Sequence, residues 1–146
     1  MRATGIDLVQ LHGDEPASLA DEIQAPVIKV LHVAPGGAAS APAAAEAAAH
    51  LRATAQAFEG KALALLLDSR VPGSAGGGTG AAFDWSLASG LGAPVLLAGG
   101  LHKDNVARAA AVPGVAGVDV SSGVESSPGV KDEALLAAFI RGARGR

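Results

Sequence analysis

PVLLAGGLHKDNVARAAAVPGVAGVDVSSG, residues 94–123, carries the pattern that decides the fold. A short apolar run (94–98) ends in Gly99-Gly100, a helical stretch (102–111) follows, and a second apolar run (117–120) ends in Ser121-Ser122-Gly123. Apolar runs this short, bounded by turn residues, read as strands rather than helices, and their Val and Leu content suits burial on both faces. Strand, helix and strand in that order make two parallel strands joined by a right-handed crossover.

The alternation extends outward to both ends of the chain. Towards the amino terminus, apolar runs recur at 6–11, 27–33 and 62–67, followed by helical patterns at 15–23, 42–58 and 84–89. Beyond the opening stretch, residues 131–144 form a last helical pattern. Asp84 and Asp104 stand where N-caps belong, and Pro42 suits a first helical turn. Pro26 and Pro94 fall at strand starts, where a missing N–H does little harm. The Ala-rich tract 36–49 reads as helix, with Leu51 and Phe58 as later apolar anchors; a disordered linker is the alternative. The whole chain, 1–146, is then one α/β domain of five parallel βα units, at roughly 30 residues each. Two architectures accept such units. One is a partial (β/α)8 TIM barrel, which closes only at eight strands and roughly 200 residues or more; the other is a doubly wound open sheet.

Composition narrows the function classes. Apolar residues make up 49% of the chain, enough for a real core, and aromatics only 3%, so Ala, Gly, Val and Leu must do the packing. Cysteine is absent, which excludes disulfides, zinc-thiolate sites and a cysteine nucleophile within these residues. The net charge is −3 and the basic residues form no long run, so a nucleic-acid surface is not expected. No apolar stretch reaches the roughly 18 residues of a membrane span, and the first residues lack a signal-peptide core. The expectation is a soluble, cytoplasmic protein.

In either parallel architecture ligands bind at the carboxyl ends of the strands. Gly99 and Gly100 let the backbone approach a ligand with no Cβ in the way, and Ser121, Ser122 and Gly123 offer hydroxyls and N–H groups in a tight turn. In barrels the loops after the last two strands commonly hold a phosphate. Asp68 closes the run LALLLD, so its carboxylate faces the site from an apolar setting that raises its pKa and keeps a proton available. The bland alternatives are that these glycines and serines are turn residues and that Asp68 is a turn-former. The glycine-rich stretch 72–80 is either a flexible connector or an active-site lid. His12 and His32 end strands, whereas His50 and His102 fall in helical segments. No two histidines have metal-ligand spacing, so no metal site is expected.

Taken together, VQLHGDEP (9–16), LLLDS (65–69), GGTGAAFDWS (77–86), LAGGLHKDNV (97–106) and GVDVSSGVESSPGVKD (117–132) resemble phosphoribosylanthranilate isomerase. The motifs stand in that family's order, and the resemblance runs from Asp7 to the end of the chain. It implies a (β/α)8 barrel of tryptophan biosynthesis that needs no cofactor. It also implies an Amadori rearrangement of N-(5-phosphoribosyl)anthranilate to 1-(2-carboxyphenylamino)-1-deoxyribulose 5-phosphate. By the same resemblance Asp68 is the general acid and Gly99, Gly100, Ser122 and Gly123 grip the phosphate, while His12 and Asp119 lie near the substrate. The family opens with a strand carrying K-I-C-G, whose cysteine is the general base, and continues to a basic S-x-R segment; neither is in this chain. The resemblance thus implies that the first three βα units are missing. Its consequences are inactivity without a complementing amino-terminal fragment, homo-oligomer formation through open strand edges, or a non-catalytic phosphosugar-binding or assembly role.

Overall fold

The computed structural model describes residues 5–34, 41–69 and 83–145. In chain order the elements are β1 (Val9–Leu11), α1 (Ala17–Glu22), β2 (Val27–Val33), α2 (Ala41–Ala57), β3 (Ala64–Ser69), a 3-10 turn (Trp85–Ala88), β4 (Val95–Leu97), α3 (Val106–Ala110), β5 (Val115–Val118), a second 3-10 turn (Ser122–Val124), β6 (Glu125–Ser127), β7 (Val130–Lys131) and α4 (Glu133–Ala143). Strands β1 to β5 form one sheet in that spatial order, each parallel to the next.

Which face the helices cover separates the two architectures. Val27, Leu31 and Val33 of β2, Leu65 and Leu67 of β3, and Val95 and Leu97 of β4 pack with Leu51, Ala55 and Phe58. The same cluster takes in Val106 and Ala109 of α3 and Phe139 of α4. The opposite face carries Ile28, Val30, Ala64, Leu66 and Ala98, with Leu96 against them, and no helix residue belongs to that cluster among the described residues. A doubly wound sheet reverses its strand order at a switch point and carries helices on both faces. Among the described residues this sheet does neither. Sequential parallel strands with helices on one side are the pattern of a (β/α)8 barrel, so the chain forms part of such a barrel.

Local sequence explains most elements. From Ala41 on the Ala-rich tract is helix and not linker: its propensity is high, and Leu51, Ala55 and Phe58, spaced four and three residues apart, bury one stripe against the sheet. Pro26 and Pro94 lend their carbonyls to Val9 N–H (3.0 Å) and Leu65 N–H (2.9 Å) while giving up no ladder donor. Asp84 caps the first 3-10 turn through Ser86 N–H (3.0 Å) and Asp132 caps α4 through Leu135 N–H (2.8 Å). Lys29 is buried at 2% exposure on the helix-facing side of β2, with its ammonium paired to Glu15 Oε2 at 2.7 Å and donating to the Gly13 carbonyl. It ties the β1–α1 connection to the sheet.

Several expectations need correction. β1 is only three residues long; Ile6 and Leu8, expected within it, are 49% and 43% exposed. β3 runs two residues further than its apolar run, because His32 and Val33 of β2 continue to pair with Asp68 and Ser69. β5 begins and ends two residues earlier than its apolar run suggests, leaving Asp119 just beyond it. Asp104 is not the cap of α3; Asn105 holds that position and Asp104 pairs with Lys103 at 2.7 Å. His102 lies in the turn before α3, not in a helix. The β6–β7 hairpin, turning at Gly129 (φ +80°), was not expected. The glycine-rich stretch 72–80, read as connector or lid, lies outside the described residues.

Candidate active site

Because β1 to β5 are parallel, their carboxyl ends share one rim of the sheet. Asp68 of β3 is the register partner of His32 of β2. The two-residue period of a strand puts both on the face of Val30 and Leu66, opposite the helices. His12 follows β1 directly. Its ring meets that of His32 edge-on, with centroids 5.0 Å apart and planes at 70°. The His32 Nε2–H donates to the His12 carbonyl oxygen at 2.9 Å. In the neutral ring that bond leaves Nδ1 as the acceptor, and Nδ1 is buried with no hydrogen-bond partner among the described residues.

Burial pushes the Asp68 carboxyl above its ordinary value of 3.8. The neighbouring His32 and His12 oppose that shift and Asp119 adds to it. Asp68 is therefore a half-buried carboxyl that holds its proton more readily than a surface aspartate, as a general acid requires.

The glycine turn after β4 lies against it. Gly99 has φ +77°, and a Cβ there would stand 2.8 Å from Asp68 Oδ1 and overlap the Ser69 hydroxyl. Only glycine fits. Gly100 (φ +65°) gives its carbonyl to Asn105 Nδ2–H at 2.9 Å, while Asn105 Oδ1 accepts from His102 N–H at 2.8 Å. One amide side chain thus bridges the two ends of the turn. Ser122 and Gly123 form the second 3-10 turn; a Cβ on Gly123 would overlap the Leu101 carbonyl, so the two turns are packed backbone to backbone. Lys131 fixes the far side by donating to the Ser121 carbonyl (2.8 Å) and pairing with Glu125 (2.7 Å).

The structure thus gathers the residues singled out in the sequence along one rim: His12, Asp68, Gly99 and Asp119 around the carboxylate, and Gly100, Ser122 and Gly123 in the adjoining turns. Sequence reasoning missed the supports. Lys29 inside an apolar run was a legible signal, since a lysine there must find a partner, and Glu15 is that partner. Asn105 and Lys131 left no such signal. Histidine spacing along the chain does not record one further proximity. His12 and His32 come from different strands, and register, not separation along the chain, brings one ligand-capable atom each of His12, His32 and Asp68 within 4.8 Å of one another.

Comparison with known proteins bears on the family and the fold. Residues 1–142 match the sequence profile of the family described as N-(5'phosphoribosyl)anthranilate (PRA) isomerase. The N-(5'-phosphoribosyl)anthranilate isomerase of Myxococcus xanthus is 46% identical over 147 residues, covering 99% of this chain and 63% of that protein. The enzyme of the same name from Acidithiobacillus ferrooxidans is 45% identical, covering 96% and 62%. The crystal structure of phosphoribosyl anthranilate isomerase from Thermotoga maritima superposes with a TM-score of 0.73 at 33% identity, covering 97% of this chain and 63% of that one. A structure of such an enzyme in complex with reduced 1-(o-carboxyphenylamino)-1-deoxyribulose 5-phosphate gives 0.69 at 31%, covering 97% and 61%. The chain spans a little over three fifths of the length of these relatives.

Proposed function

Since the chain belongs to the phosphoribosylanthranilate isomerase family, we propose that it supplies the acid and phosphate-holding part of an isomerase active site. The reaction is the Amadori rearrangement of N-(5-phosphoribosyl)anthranilate in tryptophan biosynthesis, carried out in the cytoplasm. The carrying observation is Asp68, half-buried at the rim of the sheet with its carboxyl pushed up and Gly99 close against it.

In this reading Asp68 donates its proton to the ribose ring oxygen as the C1–O bond breaks, and the anthranilate nitrogen supplies the electron pair that makes the Schiff base. The N–H groups of the turns at Gly99-Gly100 and Ser122-Gly123 hold the 5-phosphate, with local positive potential supplied by backbone and not by net charge. A base then takes the C2 proton and the enolamine tautomerises to the ketone. By the family resemblance that base is a cysteine, and these residues include none; in this reading it comes from a segment outside the 146, in the same polypeptide or a complementing one.

The test is loss of phosphoribosylanthranilate fluorescence on adding the chain, alone and with a peptide carrying the first βα units of a relative. Turnover should require the added units and fall by about 10²–10⁴-fold in Asp68→Asn; undiminished turnover in that variant would refute the assignment. The absent cysteine also favours a second reading, a phosphosugar-binding fragment without proton transfer or an assembly subunit of a homo-oligomer. Reduced 1-(o-carboxyphenylamino)-1-deoxyribulose 5-phosphate should then raise the melting temperature of the chain alone, and no shift would rule out phosphosugar binding.

A further inference from the structure

We propose that His12, His32 and Asp68 form a binding site for a borderline transition-metal dication such as Zn²⁺, at the carboxyl rim of β1, β2 and β3. Two imidazoles and a carboxylate are a donor set that suits zinc, cobalt or nickel and leaves further positions to water. One donor atom from each residue lies within 4.8 Å of the others. Tetrahedral zinc with bonds of about 2.0–2.1 Å needs donors about 3.3 Å apart, so the three must close by about 1.5 Å at most. Side-chain rotation must supply that closure, and His12, exposed, bonded to Gln10 at 3.3 Å and edge-on to the His32 ring, is the residue placed to turn.

The stronger argument is the state of His32. Ligating histidines commonly donate the other ring N–H to a carbonyl or carboxylate, which fixes both tautomer and orientation. The neutral His32 ring does so already: Nε2–H is spent on the His12 carbonyl, and Nδ1 is buried without a partner among the described residues. A buried unpaired acceptor is costly; a cation held by Nδ1 relieves that cost, and one held by Nε2 replaces the bond to the His12 carbonyl. Asp119 acts on the same carboxylate and adds negative potential. The parallel register of β2 and β3 makes His32 and Asp68 neighbours whatever lies along the rest of the chain. The site stands independently of the isomerase reading, because its test reads metal uptake and not turnover. Where that reading also holds, an ion here occupies the carboxylate that donates the proton and stops catalysis.

Co²⁺ is the probe, titrated into the apo chain and followed by its visible ligand-field absorption, then displaced with Zn²⁺. Binding should saturate at one ion per chain and weaken tenfold or more in each of His12→Gln, His32→Gln and Asp68→Asn, while His50→Gln and His102→Gln leave it unchanged. No uptake, undiminished binding in His32→Gln or Asp68→Asn, or loss in the His50 or His102 variant would each overturn the site. Circular dichroism identifies any variant that fails to fold. In that event the wild-type histidine ring NMR signals decide: Zn²⁺ must shift those of His12 and His32 and spare His50 and His102, and the reverse pattern refutes the proposal.

Discussion

Lys29 shows how one buried charge can organise the carboxyl rim of a sheet. Its ammonium reaches Glu15 and the Gly13 carbonyl and lies 5.4 Å from the centroid of the Phe58 ring. The hydrogen bond from Lys29 holds the Glu15 carboxyl at about 2 against an ordinary value of 4.5, although burial works the other way. A group whose folded pKa is depressed contributes stability above its unfolded pKa and loses it as pH falls. The stability gap between the wild type and Glu15→Gln should therefore be full above about pH 5 and close between pH 4.5 and 2. Urea denaturation at stepped pH measures it, and a gap that stays constant through that window would mean the pair contributes nothing by charge. At this scale the sequence disclosed types but not neighbours. It pointed to Asp68, Gly99 and His12, yet the partnership of His32 with Asp68 depends on strand register, which no local pattern in either strand records.

The individual elements were legible wherever burial and propensity agree. α2 is the clearest case, because an alanine-rich stretch with Leu51, Ala55 and Phe58 on one stripe has only one good conformation. Phe58 is 2% exposed, so Phe58→Ala should cost about 3–5 kcal/mol, read as a lowered urea midpoint with an unchanged slope. Boundaries were less legible. The apolar run of β3 stops at Leu67, but its ladder continues through Ser69 because the neighbouring strand does, and so Asp68 is held in a strand and not in a turn. The β6–β7 hairpin was missed for a related reason: apart from Val130 its short strands are polar, and they are mostly exposed, so no apolar alternation announces them.

For the whole molecule, the alternation of strands and helices predicted a parallel sheet, but it did not separate a barrel from a doubly wound sheet. Helix placement did, through a helix-covered face and a face against which, among the described residues, no helix packs. Among the described residues β1 and β5 each pair on one side only. Leu136 and Ile140 of α4, and Ile6 and Leu8 ahead of β1, are exposed. Open strand edges beside exposed apolar side chains favour association. Sedimentation velocity across a hundredfold range of concentration should show this chain shifting from monomer to larger species, and a single monomeric boundary throughout would count against it. The strand order has a further consequence, for synthesis. Each strand after β1 pairs with the one made just before it, so this sheet can lengthen by one unit at a time as the polypeptide leaves the ribosome.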